Sequence, residues 1–269
     1  MEAADLGALI YAGVCRENFE PATACIVAEA IGMQGGGFVY DISNACLGVL
    51  NGMIDVANRI ELGQIRAGLV VSCETAREIN DVMIARMNQT PTMDLFAKSL
   101  ATLTGGSGAA AVVLSDGTMG GAGHRLLGGV HVAHPEHFGL CSWGLESRNG
   151  HGAVPLMQTD APAVLKHGVA LGEATWRAFL TELGWRATDI DKVICHQVGH
   201  ANKETILKAI GVPPERDFST YPFLGNMGTV SLPITAALAD ERGFLQRGDR
   251  VGMLGIGSGL NCLMLGVEW

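Results

Sequence analysis

Residues 41–52 have the sequence DISNACLGVLNG, which places Cys46 where an apolar run ends and a helical pattern begins. Residues 37–42 form a short apolar run typical of a buried strand, and residues 46–62 have the apolar spacing of a helix. Ala45 and Gly48 are small enough to permit a sharp turn and the close approach of a substrate. The stretch therefore predicts a strand–turn–helix unit that holds a thiol at the turn.

Strands and helices alternate on both sides of this unit, and the short apolar runs between helices indicate a parallel sheet buried on both faces. The predicted strands of this part of the chain are residues 7–13, 37–42, 67–73 and 109–115, and the helices are residues 21–32 and 46–62. The pattern predicts an α/β protein.

A second half repeats this order from residue 121 onward. Its helix at residues 201–210 ends in Ala-Ile-Gly-Val, as the first-half helix ends in Ala-Ile-Gly-Met. Cys46 lies 15 residues after the first of these isoleucines, and Asn226 lies 16 residues after the second. We therefore predict two repeated halves, residues 1–120 and 121–269, in which Cys46 and Asn226 hold equivalent positions.

The second half begins with a unit that the first half does not match. It opens with a strand near residues 126–132 and a long helix at residues 161–183, and nothing before Gly7 resembles them. We expect the first half to lack its first β-α unit, with Met1 an internal or misassigned start or the chain a truncated fragment. Residues 134–160 are predicted to be a long surface excursion, which is often a lid or binding element.

Composition excludes several classes of protein. The net charge of −9 argues against general nucleic-acid binding, and no apolar run approaches the ~20 residues that span a bilayer. Seven cysteines without a C-x-x-C pair, and an acidic start without a signal peptide, predict reduced thiols in a cytoplasmic protein.

Three polar side chains at strand ends point to acyl transfer. Cys46 is predicted to have a lowered thiol pKa at a helix N-terminus, His196 ends an apolar strand, and Asn226 lies in a Gly-flanked turn. Each alone has a structural interpretation, respectively a buried cysteine, a satisfied core histidine and an Asx-turn. Together a thiol, an imidazole and a carboxamide supply a nucleophile, a proton carrier and an oxygen-binding group.

The glycine-rich run at residues 255–261 predicts a turn between two strands, although a simple hairpin is the alternative. We expect the backbone N–H groups of Gly259 and Cys46 to form an oxyanion hole. The run lacks the spacing of a dinucleotide fingerprint. No metal site is predicted, because His131, His134 and His137 lie in a Pro-containing loop without partner cysteines.

At these residues the chain resembles the thiolase superfamily, and within it the β-ketoacyl-ACP synthase III branch. The resemblance rests on the Asn-Ala-Cys-x-Gly, His-Gln and Gly-Asn-x-Gly motifs and the glycine-rich C-terminal hairpin. It implies duplicated βαβαβαββ halves in α-β-α-β-α layers, a homodimer, and no cofactor beyond coenzyme A thioester substrates. Cys262 does not fit the second catalytic cysteine of degradative thiolases, since Leu263 and Met264 follow it.

Residues 19–25, 41–52 and 72–75 also resemble the head-to-head acyl-CoA condensing enzymes of bacterial long-chain olefin biosynthesis. The resemblance implies that Glu20 enters the partner subunit's active site as the base of a Claisen condensation. A solvated residue before a helix is the alternative interpretation. The substrates would be two long-chain acyl-CoA or acyl-ACP thioesters, with coenzyme A approaching Asn202 and Lys203. The product would be a β-keto thioester or, after hydrolysis, a β-keto acid.

Three other functions remain open from the sequence. A decarboxylating synthase that uses a malonyl donor would keep the trio but would not need Glu20. A Cys-His-Asn hydrolase would release free acid. A non-catalytic dimerisation partner is the third, because the first half lacks a unit.

Overall fold

The computed structural model describes residues 2–16, 18–33, 35–119, 123–148 and 152–269. The strands are β1 (Ala8–Ala12), β2 (Phe38–Ile42), β3 (Ala67–Glu74), β4 (Gly108–Ser115), β5 (Arg125–Ala133), β6 (Cys141–Arg148), β7 (Gly152–Thr159), β8 (Lys192–Cys195), β9 (Arg250–Gly257) and β10 (Asn261–Glu268). The α-helices are α1 (Thr23–Ala30), α2 (Gly48–Glu61), α3 (Arg77–Gln89), α4 (Met93–Leu103), α5 (Ala161–Leu183), α6 (His200–Ile210), α7 (Tyr221–Leu224) and α8 (Ser231–Glu241). A 3₁₀ helix at Pro135–Leu140 precedes β6.

Two four-stranded mixed sheets carry the fold. The first has the order β2-β1-β3-β4, in which β4 alone is antiparallel to its neighbour. The second has the order β8-β9-β10-β5, in which β10 is antiparallel to both of its neighbours. The parallel strands are those joined through helices, as their continuous apolar sequences predict.

The layers follow from where each helix buries its apolar face. Helices α2 and α8 share one core with both sheets, through residues such as Leu50 and Leu232. Helix α1 packs on the outer face of the first sheet. Helices α5 and α6 pack on the outer face of the second sheet. The predicted α-β-α-β-α arrangement is confirmed.

The two sheets correspond strand for strand except at one edge. β1, β3 and β4 occupy the places of β8, β9 and β10, and an isolated bridge from Val193 to Asp217 stands where β2 lies in the first sheet. In the second sheet β5 pairs with β10 and is covered by α5. Among the described residues of the first half nothing takes that place beside β4, which agrees with the prediction that the first β-α unit is missing.

The predicted surface excursion at residues 134–160 is not the irregular loop that the sequence suggested. After the 3₁₀ helix, β6 and β7 form an antiparallel hairpin with Cys141 paired to Thr159, and β7 contacts α3 and α4. The sequence pattern made no prediction for α3 and α4. The boundary between the two predicted halves falls at residues 120–122, outside the described residues, and stays a prediction.

Helix starts differ from the predictions for local reasons. Helix α1 begins at Thr23 instead of residue 21, because the Asp41 carboxylate accepts the N–H groups of Thr23 and Ala24. Helix α2 begins at Gly48, two residues after Cys46. The thiol therefore lies just before the helix and not within its first turn.

Candidate active site

The turn that carries Cys46 is strained and cross-linked. Ala45 has a φ of 45°, in the left-handed region that costs a non-glycine residue roughly 1–3 kcal/mol. The Asn44 side chain donates to Asn51 Oδ1 at 2.7 Å and accepts from Asn261 Nδ2 at 3.0 Å. These two bonds tie the turn both to its own helix and to the second sheet. Asn44 and Asn261 were not assigned a role from the sequence, because their contact spans the two halves.

Glycine at the end of β9 allows the nucleophile turn to approach the second sheet. A Cβ atom at Gly257 would lie 3.2 Å from Leu47 Cγ and 3.4 Å from Cys46 N. At Gly255 a Cβ atom would lie 2.6 Å from Leu47 Cδ2, closer than real contacts permit. The glycines of this strand therefore bring the two halves together at the thiol.

The predicted lowering of the Cys46 pKa is wrong. Burial, with smaller contributions from the nearby Cys141 and Glu74, raises the pKa of the Cys46 thiol to about 12. The helix N-terminus does not offset this, since α2 starts beyond Cys46. The resting nucleophile is therefore a neutral thiol that needs a base when it attacks.

His196 is the predicted base, and its imidazole is neutral and unbonded among the described residues. It follows β8 and is 8% exposed, and its backbone N–H donates to Leu254 O at 2.8 Å. Burial lowers the pKa of the imidazole to about 4, so the ring is neutral at pH 7. Both ring nitrogens are buried without a hydrogen-bond partner among the described residues. Unpaired buried nitrogens cost free energy, and such a cost is typical of a functional group.

Asn226 fits both of its predicted interpretations, the Asx-turn and the group that binds a substrate oxygen. Its Oδ1 accepts the Gly228 N–H at 3.0 Å, which is the Asx-type bond. Because the oxygen is occupied in this way, the side-chain NH₂ group is the part left to donate to a ligand. The turn is held by Asn226 N donating to Thr104 O at 2.9 Å and by Gly106 N donating to Asn226 O at 2.7 Å. A Cβ atom at Gly106 would lie 1.9 Å from Leu224 O, so this position requires glycine.

Gln197 holds the segment that leads to Asn226. Its Oε1 accepts the N–H groups of Thr220 and Tyr221 at 2.9 and 2.7 Å and the Ser219 hydroxyl at 3.1 Å, while Nε2 donates to Phe218 O at 2.9 Å. The residue is 3% exposed. Of the two residues after β8, His196 thus has a ring without a hydrogen-bond partner among the described residues, whereas the Gln197 amide is fully hydrogen-bonded and structural.

Cys46 and Asn226 lie on one cavity of about 370 Å³. Its wall is mostly apolar and also includes residues of the β6–β7 hairpin and of α4, so the excursion predicted as a binding element does line the cavity. The main lining residues are Val14, Ala45, Cys46, Glu74, Ile79, Ala101, Cys141, Trp143, Met157, Asn226, Met227 and Ser258. His196 lies buried at the end of β8 and is not among the lining residues.

Glu74 is a buried carboxylate in this cavity wall to which the sequence pattern gave no role. Its two oxygens accept the N–H groups of Val14 and Cys15 at 2.9 and 3.2 Å, and its side chain is 5% exposed. The Tyr11 hydroxyl lies 2.6 Å from Cys15 O and 2.8 Å from Cys73 O. Together these bonds fasten the chain after β1 to the end of β3, a few residues before Glu20.

The other predicted site residues lie apart. Glu20 is exposed beside Phe19, which is 94% exposed, and it is not among the residues that line this chain's own cavity. Gly259 lies in the β9–β10 turn with a φ of 145°, directly after the cavity residue Ser258. The oxyanion role of Gly259 and Cys46 stays a prediction.

Lys203 already has a partner. Its Nζ lies 2.8 Å from Asp217 Oδ2, and the Asp217 side chain is fully buried. Asp217 also accepts the Cys195 N–H at 3.1 Å. Asn202 is half-buried on the same helix. The predicted contact of Asn202 and Lys203 with coenzyme A is untested, and the geometry gives Lys203 a structural function as well.

The prediction that His131, His134 and His137 are solvated loop histidines stays a prediction, but His134 and His137 lie close to each other. With Glu136 they place one ligand atom each within 4.8 Å of one another. His131 lies on β5. Within the described part of the chain no helix is long and apolar enough to cross a membrane.

The fold and the site define a class of protein. Residues 180–269 match the C-terminal domain of 3-oxoacyl-[acyl-carrier-protein] synthase III. The first of its two α/β halves carries Cys46, and the second carries His196 and Asn226. The chain is a condensing enzyme of the β-ketoacyl-ACP synthase III branch of the thiolase superfamily.

Comparison with individual proteins narrows this class. The chain is 56% identical over 272 residues to the acyl-CoA:acyl-CoA alkyltransferase of Shewanella oneidensis, covering 100% of this chain and 78% of the relative. It is 36% identical over 265 residues to that of Xanthomonas campestris, covering 98% and 76%. The crystal structure of a cysteine-to-alanine variant of Xanthomonas campestris OleA superposes with a TM-score of 0.92 at 34% identity, covering 100% of this chain and 76% of that one. The chain belongs to the acyl-CoA:acyl-CoA alkyltransferase family.

Proposed function

We propose that this protein is an acyltransferase that joins two long-chain acyl-CoA thioesters by Claisen condensation, without decarboxylation, through an acyl-enzyme on Cys46. The observation that carries the proposal is that Cys46, from the first half, and Asn226, from the second, line one largely apolar cavity. An apolar wall suits an alkyl chain, and the two polar groups suit a thioester carbonyl.

In the first stage the Cys46 sulfur attacks the carbonyl carbon of the first acyl-CoA. The thiol proton passes to the neutral His196, because a thiol with a raised pKa does not ionise by itself at neutral pH. The backbone N–H groups of Cys46 and Gly259 hold the carbonyl oxygen as it gains charge. The tetrahedral intermediate collapses, the C–S bond to coenzyme A breaks, and the departing thiolate takes the proton from His196.

In the second stage another acyl-CoA binds with its thioester oxygen near His196 and the Asn226 NH₂ group. The carboxylate of Glu20 of the partner subunit removes an α-proton, and the resulting enolate carbon attacks the acyl carbonyl on Cys46. A carbon–carbon bond forms and the Cys46 C–S bond breaks, and the departing Cys46 sulfur takes up a proton, in net the one that Glu20 removed. A β-keto thioester and the resting thiol remain. The proposed role of Glu20 needs a homodimer, and it is supported by Glu20 being exposed and not among the residues that line its own chain's cavity.

The relatives favour this reaction over its alternatives. One crystal structure of Xanthomonas campestris OleA contains lauric acid and lauroyl-CoA, and others replace a glutamate, a cysteine or a histidine of that protein. Its replaced glutamate precedes its replaced cysteine by 26 residues, the same separation as Glu20 and Cys46 here. A decarboxylating synthase or a hydrolase would need no such base. Acyl-CoA is therefore the proposed carrier, with acyl-ACP as the alternative.

Three further elements of the proposal concern the setting of the reaction. The chemistry needs no cofactor beyond the coenzyme A of the substrates, since every proton transfer is assigned to a side chain. The coenzyme A group approaches along α6 beside Asn202. The free state of all seven cysteines supports a reducing, cytoplasmic environment.

The test is mass spectrometry of the intact protein after incubation with lauroyl-CoA, with extraction of the products. We expect a lauroyl adduct on the wild type and on Cys73→Ala, an exposed-cysteine control, but not on Cys46→Ala. A β-keto product formed without malonyl-CoA supports head-to-head condensation. An adduct that turns over only with malonyl-CoA would establish the decarboxylating reaction, and an absent adduct on folded protein would end the assignment of Cys46.

The action of Glu20 across the dimer has its own test. Mixed dimers of Cys46→Ala and Glu20→Ala chains should recover about a quarter of the wild-type condensation rate under statistical exchange. Recovery occurs only if the intact Glu20 of one chain serves the intact Cys46 of the other. A mixture as inactive as its components, although light scattering shows exchanged dimers, would place Glu20 outside the reaction.

A further inference from the structure

A cluster of imidazoles lies outside the proposed catalytic cavity, on the 3₁₀ helix before β6. His134, just before this helix, and Glu136 and His137 within it bring one ligand atom each to within 4.8 Å of one another. The Glu136 carboxylate lies 3.0 Å from His134 Nδ1. The cluster therefore places one carboxylate beside two histidine rings.

A third histidine reaches the same place from a different element. The His167 ring, on α5, has its centroid 4.0 Å from that of His137 at an interplanar angle of 38°. The rings of His134 and His137 are nearly parallel, at 10°, with centroids 6.2 Å apart. All three histidines are half-buried. Helix α5, distant in sequence, thus places a third imidazole beside the ring of His137.

The backbone holds this cluster in place. His134 N donates to Leu260 O at 2.8 Å, and Leu260 N donates to His134 O at 3.1 Å. The 3₁₀ helix that follows is packed against α5. Because the segments that carry these side chains are hydrogen-bonded and packed, binding a ligand would cost little conformational entropy. The same two bonds join the cluster to the β9–β10 turn.

We propose that His134, Glu136 and His137 bind one divalent transition-metal ion, with zinc the best match, and that the His167 ring supports His137 by packing against it. Imidazole nitrogen and carboxylate oxygen are the donors that zinc takes in tetrahedral sites, and three or four of them suffice. Calcium and magnesium prefer six or more oxygen ligands, which this cluster does not offer. The chain's net charge of −9 also favours a cation over an anion at this surface.

The test is calorimetric titration of the full 269-residue chain, freed of metal by a chelator, with zinc chloride and separately with magnesium chloride. We expect one equivalent of zinc and no heat from magnesium. His134→Ala and His137→Ala should each weaken zinc binding at least tenfold, and His167→Ala should weaken it less. His124→Ala is the matched control, since that ring stacks on Trp269 elsewhere on the protein.

The seven free thiols could bind zinc instead, and a second measurement separates the two sites. X-ray absorption at the zinc edge should show only nitrogen and oxygen atoms bound to the zinc in the wild type. Zinc should raise the thermal midpoint of the wild type and of His124→Ala, but not that of the variants of the proposed ligands. Sulfur bound directly to the zinc would overturn the proposal. So would an unchanged zinc affinity in a His134→Ala/His137→Ala double variant whose thermal midpoint equals that of the metal-free wild type.

Discussion

At the scale of single residues, the site consists of groups held in their neutral forms. The Cys46 thiol has a pKa raised to about 12 and the His196 imidazole one lowered to about 4, both chiefly by burial. Desolvation disfavours the charged form of either group. Cys46 and His196 therefore do not form a thiolate–imidazolium ion pair before the substrate binds. The thiol proton is transferred when the sulfur attacks. A resting enzyme of this kind keeps its thiol protected from oxidation and alkylation until a thioester binds.

The His196 pKa predicts how stability depends on pH. Because the pKa is about 4 in the folded protein and 6.5 in the unfolded chain, the unfolded chain takes up this proton first as the pH falls. The free energy of unfolding should therefore fall between pH 6.5 and pH 4, by about 3 kcal/mol from this residue. Urea unfolding at pH 7, 5.5 and 4.5 measures the effect.

His196→Asn should lack this part of the pH dependence, whereas His200→Asn, at an exposed position on α6, should keep it. Parallel pH profiles for the wild type and His196→Asn would contradict the buried, neutral imidazole on which the proposed mechanism depends.

At the scale of elements, the site is assembled from turns that are bonded to elements of the other half. Thr229 Oγ1, beside the Asn226 turn, accepts the N–H of Val49 in the first turn of α2 at 2.7 Å. The Asn44 side chain bonds to Asn261 at the start of β10. A polar bond between two buried turns fixes their distance, because losing either partner leaves the other unsatisfied. Nucleophile and amide are therefore positioned relative to each other and not only within their own halves.

The ion pair between α6 and the segment before α7 predicts a stability effect. Lys203→Met removes the cation from a fully buried Asp217 carboxylate and should lower the free energy of unfolding by about 3 kcal/mol. Denaturant unfolding measures this loss. Adding Asp217→Asn should recover part of it, since the uncompensated charge is then gone.

Lys208→Met, at an exposed position of the same helix, is the matched control and should change the free energy of unfolding by less than about 0.5 kcal/mol. If Lys203→Met weakened acyl-CoA binding at unchanged stability, Lys203 would be a substrate contact and not a structural one.

At the scale of the whole molecule, the two halves differ in how their sheets are covered. In the second half α5 and β5 cover one face and one edge of the sheet, and β10 is buried along nearly its whole length. In the first half β4 is an edge strand whose residues alternate between half-buried and exposed. The apolar residues Ile26, Ile31 and Val113 are exposed on this half. Edge strands and apolar surface of this kind promote association between chains.

We expect this edge to cause self-association of the 269-residue chain beyond a dimer. Val113 is 53% exposed on β4, and Val113→Lys places a charge on the free edge. Light scattering coupled to gel filtration at increasing concentration should show fewer large species for this variant. Leu62→Lys, at an exposed position after α2, is the control and should leave the distribution unchanged. Equal distributions for all three proteins would show that β4 does not mediate the association.

The sequence alone determined the parts of this protein that depend on local pattern. Apolar runs, the repeated Ala-Ile-Gly motif, the strand-end positions of Cys46 and His196 and the Gly-flanked turn of Asn226 predicted two α/β halves and their polar groups, because strand and helix periodicity is recorded in neighbouring residues. The strand predicted before Asn226 is instead the short helix α7. The family resemblance of those motifs then indicated the reaction, and the comparison with relatives of known name supports it.

Only the tertiary structure decided the properties that arise between distant residues. The pKa of Cys46 is raised by its burial, although the position before a helix predicted a lowered value. Glu74, Asn261 and the β6–β7 hairpin enter the site through contacts across tens to hundreds of residues, which no local pattern records. The His134–His137 cluster likewise gains His167 from another helix. Burial and convergence depend on which surfaces meet, and that is settled only when the whole chain folds.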